Sequence, residues 1–197
     1  MNKIATLLLI VLIGFGCSDQ RSKEGDQFFN SQQYQEAIDA YNDYLEARPN
    51  DLAIIYKRGR AYEELGNDKS ALQDYNFMIS KDAENVDAHL SLGGYFYRID
   101  DFESALFHYE IAMDKDQSNA IGYLQKGKTN QKLGNLKEAL SDYNAAISIN
   151  ESTSEFYIAR GSLRLVMRQK SLACNDFKIA QSLGSKEAVD IIKDYCR

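Results

Sequence analysis

The sequence predicts an all-α solenoid, a row of helix hairpins stacked one on the next, and three columns of residues predict it. Gly25, Gly59, Gly93, Gly127 and Gly161 recur at a fixed step of 34 residues. Ala37, Ala71, Ala105, Ala139 and Ala173 form a second column, and Tyr41, Tyr75, Tyr109, Tyr143 and Phe177 a third. No insertion interrupts any of them over five copies. A period of roughly 20 to 50 residues marks units that cannot bury their apolar faces alone and must stack to do so.

Ahead of the copies, Lys3 is followed by an apolar run from Ile4 to Phe15. That run is too short to span a membrane, which takes roughly 20 residues. A charged start, a short apolar stretch and small residues at its end make an export signal. The boundary Gly14-Phe15-Gly16-Cys17 resembles the lipobox of bacterial lipoproteins, with Gly14 standing where leucine is usual. The resemblance implies cleavage after residue 16, acylation of Cys17 and a short anchor segment over residues 17–23. Several acyl chains together attach a protein to a bilayer durably. It also implies an exported chain held in the bacterial cell envelope, at the outer membrane. The alternative is an ordinary secreted chain with Cys17 in or near the cleaved part; a cysteine placed directly after the apolar run favours the lipoprotein.

Registered on the glycine column, the copies are 18–51, 52–85, 86–119, 120–153 and 154–187, with a tail over 188–197. The first copy opens on the polar run Ser18 to Lys23, so its first helix is expected to begin near Ser22. In the second copy, Leu52 to Leu65 places Ile55, Tyr62 and Leu65 at near-helical spacing. Gly66-Asn67 breaks the helix and caps the next one, and Asp68 to Lys81 carries Ala71, Leu72, Tyr75, Met78 and Ile79 on one face. Leu133-Gly134-Asn135 repeats that break in the fourth copy. A mid-helix glycine costs about 1 kcal/mol against alanine, so five of them mean that something bulky approaches the backbone there. The aromatic column is expected to fill the space between successive copies. Past the last copy, Ala188 to Tyr195 is an amphipathic stretch with Tyr195 where glycine would stand, as suits a helix that covers the end of the stack.

These columns, with Leu65-Gly66 and Leu133-Gly134, resemble the tetratricopeptide repeat over residues 18–187. The resemblance implies a right-handed solenoid of five such hairpins plus a C-terminal capping helix. The chain departs from the family at the fourth place, which holds Arg21, Ile55, His89, Tyr123 and Tyr157, and the closing proline appears only as Pro49. In the family the first helices line a concave groove that takes a peptide or helix of a protein partner. Carried onto this chain, that groove would use Tyr56, Leu90, Leu124 and Ile158 at the fifth place, Arg60 and Lys128 at the ninth, and Tyr97 and Leu165 at the twelfth. Fifth, ninth and twelfth places fall on one helical stripe. Apolar residues beside two cations suit an extended segment with hydrophobic and acidic side chains; partial packing against neighbouring helices is the alternative for the same residues. The family's carboxylate clamp does not fit, because Tyr56, Arg60, Ser91, Ile121 and Gln125 occupy its places.

No nucleophile elbow, phosphate loop or metal-spaced cluster occurs, so neither an enzyme nor a cofactor is expected. His89 and His108 both lie in the third copy at packing positions, and Asp74, Asp142 and Asp176 recur with the repeat, as scaffold residues do. A hydrolytic or glycan-binding envelope protein is the rival, and it requires His89, His108 and Glu103 to converge. A net charge of -6 without a basic stripe argues against nucleic acid. Of the three cysteines, Cys174 and Cys196 can bond to each other in an oxidising compartment; two free thiols are the alternative. The expectation is therefore a membrane-anchored adaptor that binds protein.

Overall fold

The computed structural model describes residues 20–196, so the export signal and Cys17 lie outside the described residues. Among the described residues there are eleven helices and no strand. They fall into two compact units divided after Ala88. The first holds α1 (20–30), α2 (Tyr34–Ala47), α3 (Leu52–Glu64) and α4 (Asp68–Lys81). The second holds all but the first turn of α5 (Val86–Arg98), then α6 (Phe102–Lys115), α7 (Ala120–Lys132), α8 (Leu136–Ile149), α9 (Ser154–Val166), α10 (Lys170–Ser182) and α11 (Lys186–Tyr195). The helix pairs are those of the copies. Two boundaries move: α1 is already helical at residue 20, ahead of Ser22, and α11 starts at Lys186, inside the span of the fifth copy. Ser185 explains the second shift, since its side chain accepts from the Ala188 N–H and caps the helix there.

The glycine column has a visible cause. A Cβ built on Gly25, Gly59, Gly93, Gly127 or Gly161 would lie 2.4 to 2.7 Å from a ring carbon of Tyr41, Tyr75, Tyr109, Tyr143 or Phe177 respectively. Each ring therefore lies on the first helix of its own hairpin. This corrects the expectation that the aromatics fill the space between successive copies. The alanines of the second column are buried, from 0% to 2% exposed, so second helices pack as closely as the first.

The same sixteen-residue offset brings charges together one position earlier on each helix. Arg58 makes a two-pronged contact with Asp74 (2.9 and 2.6 Å) and reaches Asn42 on the hairpin before it (2.8 Å). Arg160 repeats this with Asp176 (3.1 and 2.7 Å) and Asn144 (2.8 Å), and Lys126 pairs with Asp142 at 3.1 Å. All three carboxylates are buried, which the paired geometry permits. The third copy has Leu92 and His108 in these two places. There the Nδ1 atoms of His89 and His108 lie 2.9 Å apart, so one ring donates and the other accepts, and Phe96 stacks on His108 with its plane 6° away. Burial first, and the neighbouring His89 second, push the His108 pKa down from 6.5 to about 4.

The turns between helices of a hairpin share one backbone form. Gly66 and Gly134 take φ of 71° and 82°, as the sequence predicts, and Gln32, Asp100 and Arg168 take about the same conformation at φ 60°, 61° and 60°. A backbone bond closes each turn, for instance Asn67 N–H to Tyr62 C=O at 2.8 Å and Gln169 N–H to Arg164 C=O at 2.8 Å. In the second unit, Ala188 joins Leu124, Tyr143, Phe156, Leu163 and Ala180 in one apolar core. The Sγ atoms of Cys174 and Cys196 are bonded at 2.05 Å, tying α10 to the end of α11.

Two tests follow from this packing. Gly127→Ala should cost about 1–3 kcal/mol in denaturant unfolding through overpacking, and the cost should shrink in a Tyr143→Leu background; additive losses would contradict the contact. For His108 the folded pKa is depressed, so the unfolded chain takes up its proton first as pH falls. Stability should drop between about pH 6.5 and 4, and His108→Gln should flatten that drop in thermal melts; parallel curves would count against it.

Candidate protein-binding surface

In the first unit, the stripe residues of α3 open onto a cavity of about 350 Å³. Its lining brings Tyr56, Lys57 and Arg60 from α3 together with Asp26, Phe29 and Asn30 from α1 and Tyr41 from α2. Three aromatic side chains thus contribute to the wall. Lys57 Nζ lies 2.8 Å from both oxygens of Asp26, and the Tyr41 hydroxyl donates to Asp26 at 2.9 Å. Burial, followed by the Asp26 carboxylate, pushes the Tyr41 pKa well up, so the phenol stays protonated and keeps donating. Arg60 sits against the Tyr56 hydroxyl at 3.4 Å and pairs with Glu63 at 3.0 Å and Glu64 at 3.9 Å. Glu63 in turn accepts from the Tyr75 hydroxyl at 2.7 Å, so the ring that packs on Gly59 also orders the residue that holds Arg60.

Sequence reasoning placed Tyr56 and Arg60 on this surface and missed Asp26 and Phe29, although the register contained both. Asp26 is the first copy's member of the column of Arg60 and Lys128, and Phe29 that of Tyr97 and Leu165. Lys57 and Asn30 stand outside the family stripe, and no column signalled them.

The second unit carries the remaining stripe residues. Leu124 is 1% exposed and belongs to the core, which corrects its placement in a groove: it packs beside Tyr143, and a partner cannot reach it. Ile158 packs against the same core and keeps part of its surface. Leu90 and Leu165 are part-covered, and Tyr97 is braced edge-on by Phe102 with centroids 5.4 Å apart. Lys128 is engaged by Glu155 at 2.7 Å, so its charge is largely matched within the chain. His89 and His108 meet, whereas Glu103 lines an open cleft with Leu106, Phe107 and Glu110. Among the described residues no group of three or more His, Cys, Asp or Glu side chains could hold a metal ion, and no helix is long and apolar enough to cross a membrane.

Comparison with known proteins agrees with this architecture. Residues 22–85, 56–120 and 120–153 match sequence profiles of the tetratricopeptide repeat. No curated protein matches the sequence. Among solved structures, pilF of Pseudomonas aeruginosa superposes with a TM-score of 0.80 at 13% identity, over 92% of this chain and 86% of its own. MamA of Desulfovibrio magneticus, from residue 41 onward, superposes with a TM-score of 0.74 at 15% identity, over 84% and 94%. A thermophilic tetratricopeptide-repeat protein of Thermus thermophilus does so with a TM-score of 0.63 at 20% identity, over 91% and 97%. At these identities the likeness is one of fold. The profile matches, the glycine–aromatic contacts and the helix order agree: the chain belongs to the tetratricopeptide-repeat family.

Proposed function

We propose that this protein is a membrane-anchored adaptor that captures a segment of a partner protein on the first-helix surface, with its principal contact in the cavity of the first unit. The tetratricopeptide repeat is a protein-binding scaffold, and the cavity supplies what such a contact needs: the part-exposed rings of Phe29 and Tyr56 that can receive an apolar side chain, backed by the buried Tyr41, with Lys57 and Arg60 at hand for a neighbouring carboxylate. Aromatic and arginine side chains at a concave site are the residues that most often carry binding energy. The observation behind the proposal is that Tyr56 and Arg60, drawn from the variable stripe of the repeat, line one aromatic-walled cavity. Attachment through an acylated Cys17 would hold this surface next to a bilayer of the bacterial envelope, since the first helix is under way by residue 20.

Tyr56→Ala combined with Arg60→Glu should abolish capture of the partner recovered by in-cell crosslinking, while the helical signal and melting temperature stay near those of the parent. Capture at parental strength would refute the cavity as the contact. Labelling with a fatty-acid analogue should be lost in Cys17→Ala, and retained label would place the lipid elsewhere.

A further inference from the structure

The end of the second unit carries chemistry that partner binding does not use. Cys174 lies in the second turn of α10, and its partner Cys196 is the residue that follows α11. Neither cysteine is shut into the core. Both are part-exposed, and they line an open cleft with Lys170, Ser171, Asn175 and Lys178. Lys170 and Lys178 stand four residues either side of Cys174, on its own face of α10. The crosslinked helix is meanwhile held lightly. It is ten residues long, Ala188 is its one buried residue, and Val189, Ile191 and Ile192 are only partly covered. A helix this short is marginal without outside support.

We propose that Cys174–Cys196 is a thiol–disulfide exchange site for anionic thiols, and that it acts as the latch of α11. The two lysines raise the local concentration of an anionic thiol at the bond. Its thiolate sulfur attacks Cys196 Sγ, a new S–S bond forms there, the Cys174–Cys196 bond breaks, and the electron pair leaves on Cys174 as a thiolate. Cys174 is the better leaving group. Two ammonium groups, Lys170 and Lys178, flank it on its own face of α10, whereas the carboxylate of Asp194 stands two residues before Cys196. A second thiol then attacks the sulfur of the incoming group and displaces Cys196 as a thiolate. Two electrons pass in all: the protein disulfide becomes two thiols and two incoming thiols become one disulfide. Once the bond is open, α11 is held by Ala188 and its few part-buried neighbours, and the apolar surface around Leu163 and Ala180 that Ala188 shares becomes available.

The test uses the intact oxidised protein with glutathione (anionic), 2-mercaptoethanol (neutral) and cysteamine (cationic), comparing rates per unit of thiolate. Glutathione should react about tenfold faster than cysteamine at low salt, and Lys170→Glu with Lys178→Glu should reverse the order. The acid-trapped adduct should sit on Cys196. Hydrogen exchange followed by mass spectrometry should show amides of 186–195 exchanging at least about tenfold faster after reduction, with those of α7 and α8 unchanged. A Cys174→Ser, Cys196→Ser variant should match the reduced protein; reduction of the parent gives the same comparison without substitution. Equal rates for the three thiols, or an adduct on Cys174, would overturn the exchange site, and unchanged protection of 186–195 would overturn the latch.

Discussion

Everything in these hairpins depends on an aromatic ring resting on a bare Cα sixteen residues earlier in the chain. A methyl group at any of the five glycines would fall within 2.7 Å of a ring carbon, which no ordinary contact tolerates. The ring therefore fixes both the separation of the two helices and their axial register. Because register is fixed, whatever stands one place before the glycine faces whatever stands one place before the ring. That is why Arg58 finds Asp74, Lys126 finds Asp142 and Arg160 finds Asp176. The ion pairs are a consequence of the steric contact; alone they would be weak grounds for the fold, since desolvation of both partners offsets much of their attraction.

The third copy shows what happens when that charge pair is removed. Taking away one member alone would leave a buried charge without a partner, at a cost of roughly 3–5 kcal/mol. Here both places change, to Leu92 and His108, and the imidazole recovers its hydrogen bond from His89, at the fourth place of α5. The network has moved from the second-to-first-helix diagonal onto the fourth-place column, and the ring contact of Tyr109 on Gly93 is untouched. Polar partners in this fold are exchangeable as sets; the glycine–aromatic contact is not.

Much of this was legible in the sequence because close packing allows few residues, and few allowed residues make visible columns. Helix order, copy boundaries and the breaks at Gly66 and Gly134 come directly from such columns. The partner of each ring was not legible, since a column that never varies cannot say which other column it touches. Three turns were hidden for a different reason. Gln32, Asp100 and Arg168 adopt a left-handed backbone that glycine usually marks, and the closing backbone bond of the turn holds them there at a cost of about 1 kcal/mol each. Leu124 was misplaced because the fifth place lies at the edge of the stripe. Tyr56 and Leu90 at that place stay part-covered, while Leu124 is drawn into the apolar core with Tyr143 and Phe156.

The fifth place of the second copy, Tyr56, also contributes to the lining of the cavity in the first unit. Tyr56, Phe29 and the buried Tyr41 line it together with Asp26, whose carboxylate is held by the Tyr41 hydroxyl and Lys57. Most of its charges already have partners: Lys57 holds Asp26, and Arg60 is held by Glu63 and Glu64. Exposed and part-exposed pairs of this kind contribute on the order of 0–1 kcal/mol each, so a ligand carboxylate that displaces one of them gains little in net terms. Burial of an apolar side chain against the rings, at about 25 cal/mol per Å², is the larger contribution. In this surface the rings supply affinity, and the lysine and arginine set the direction in which a bound segment must run.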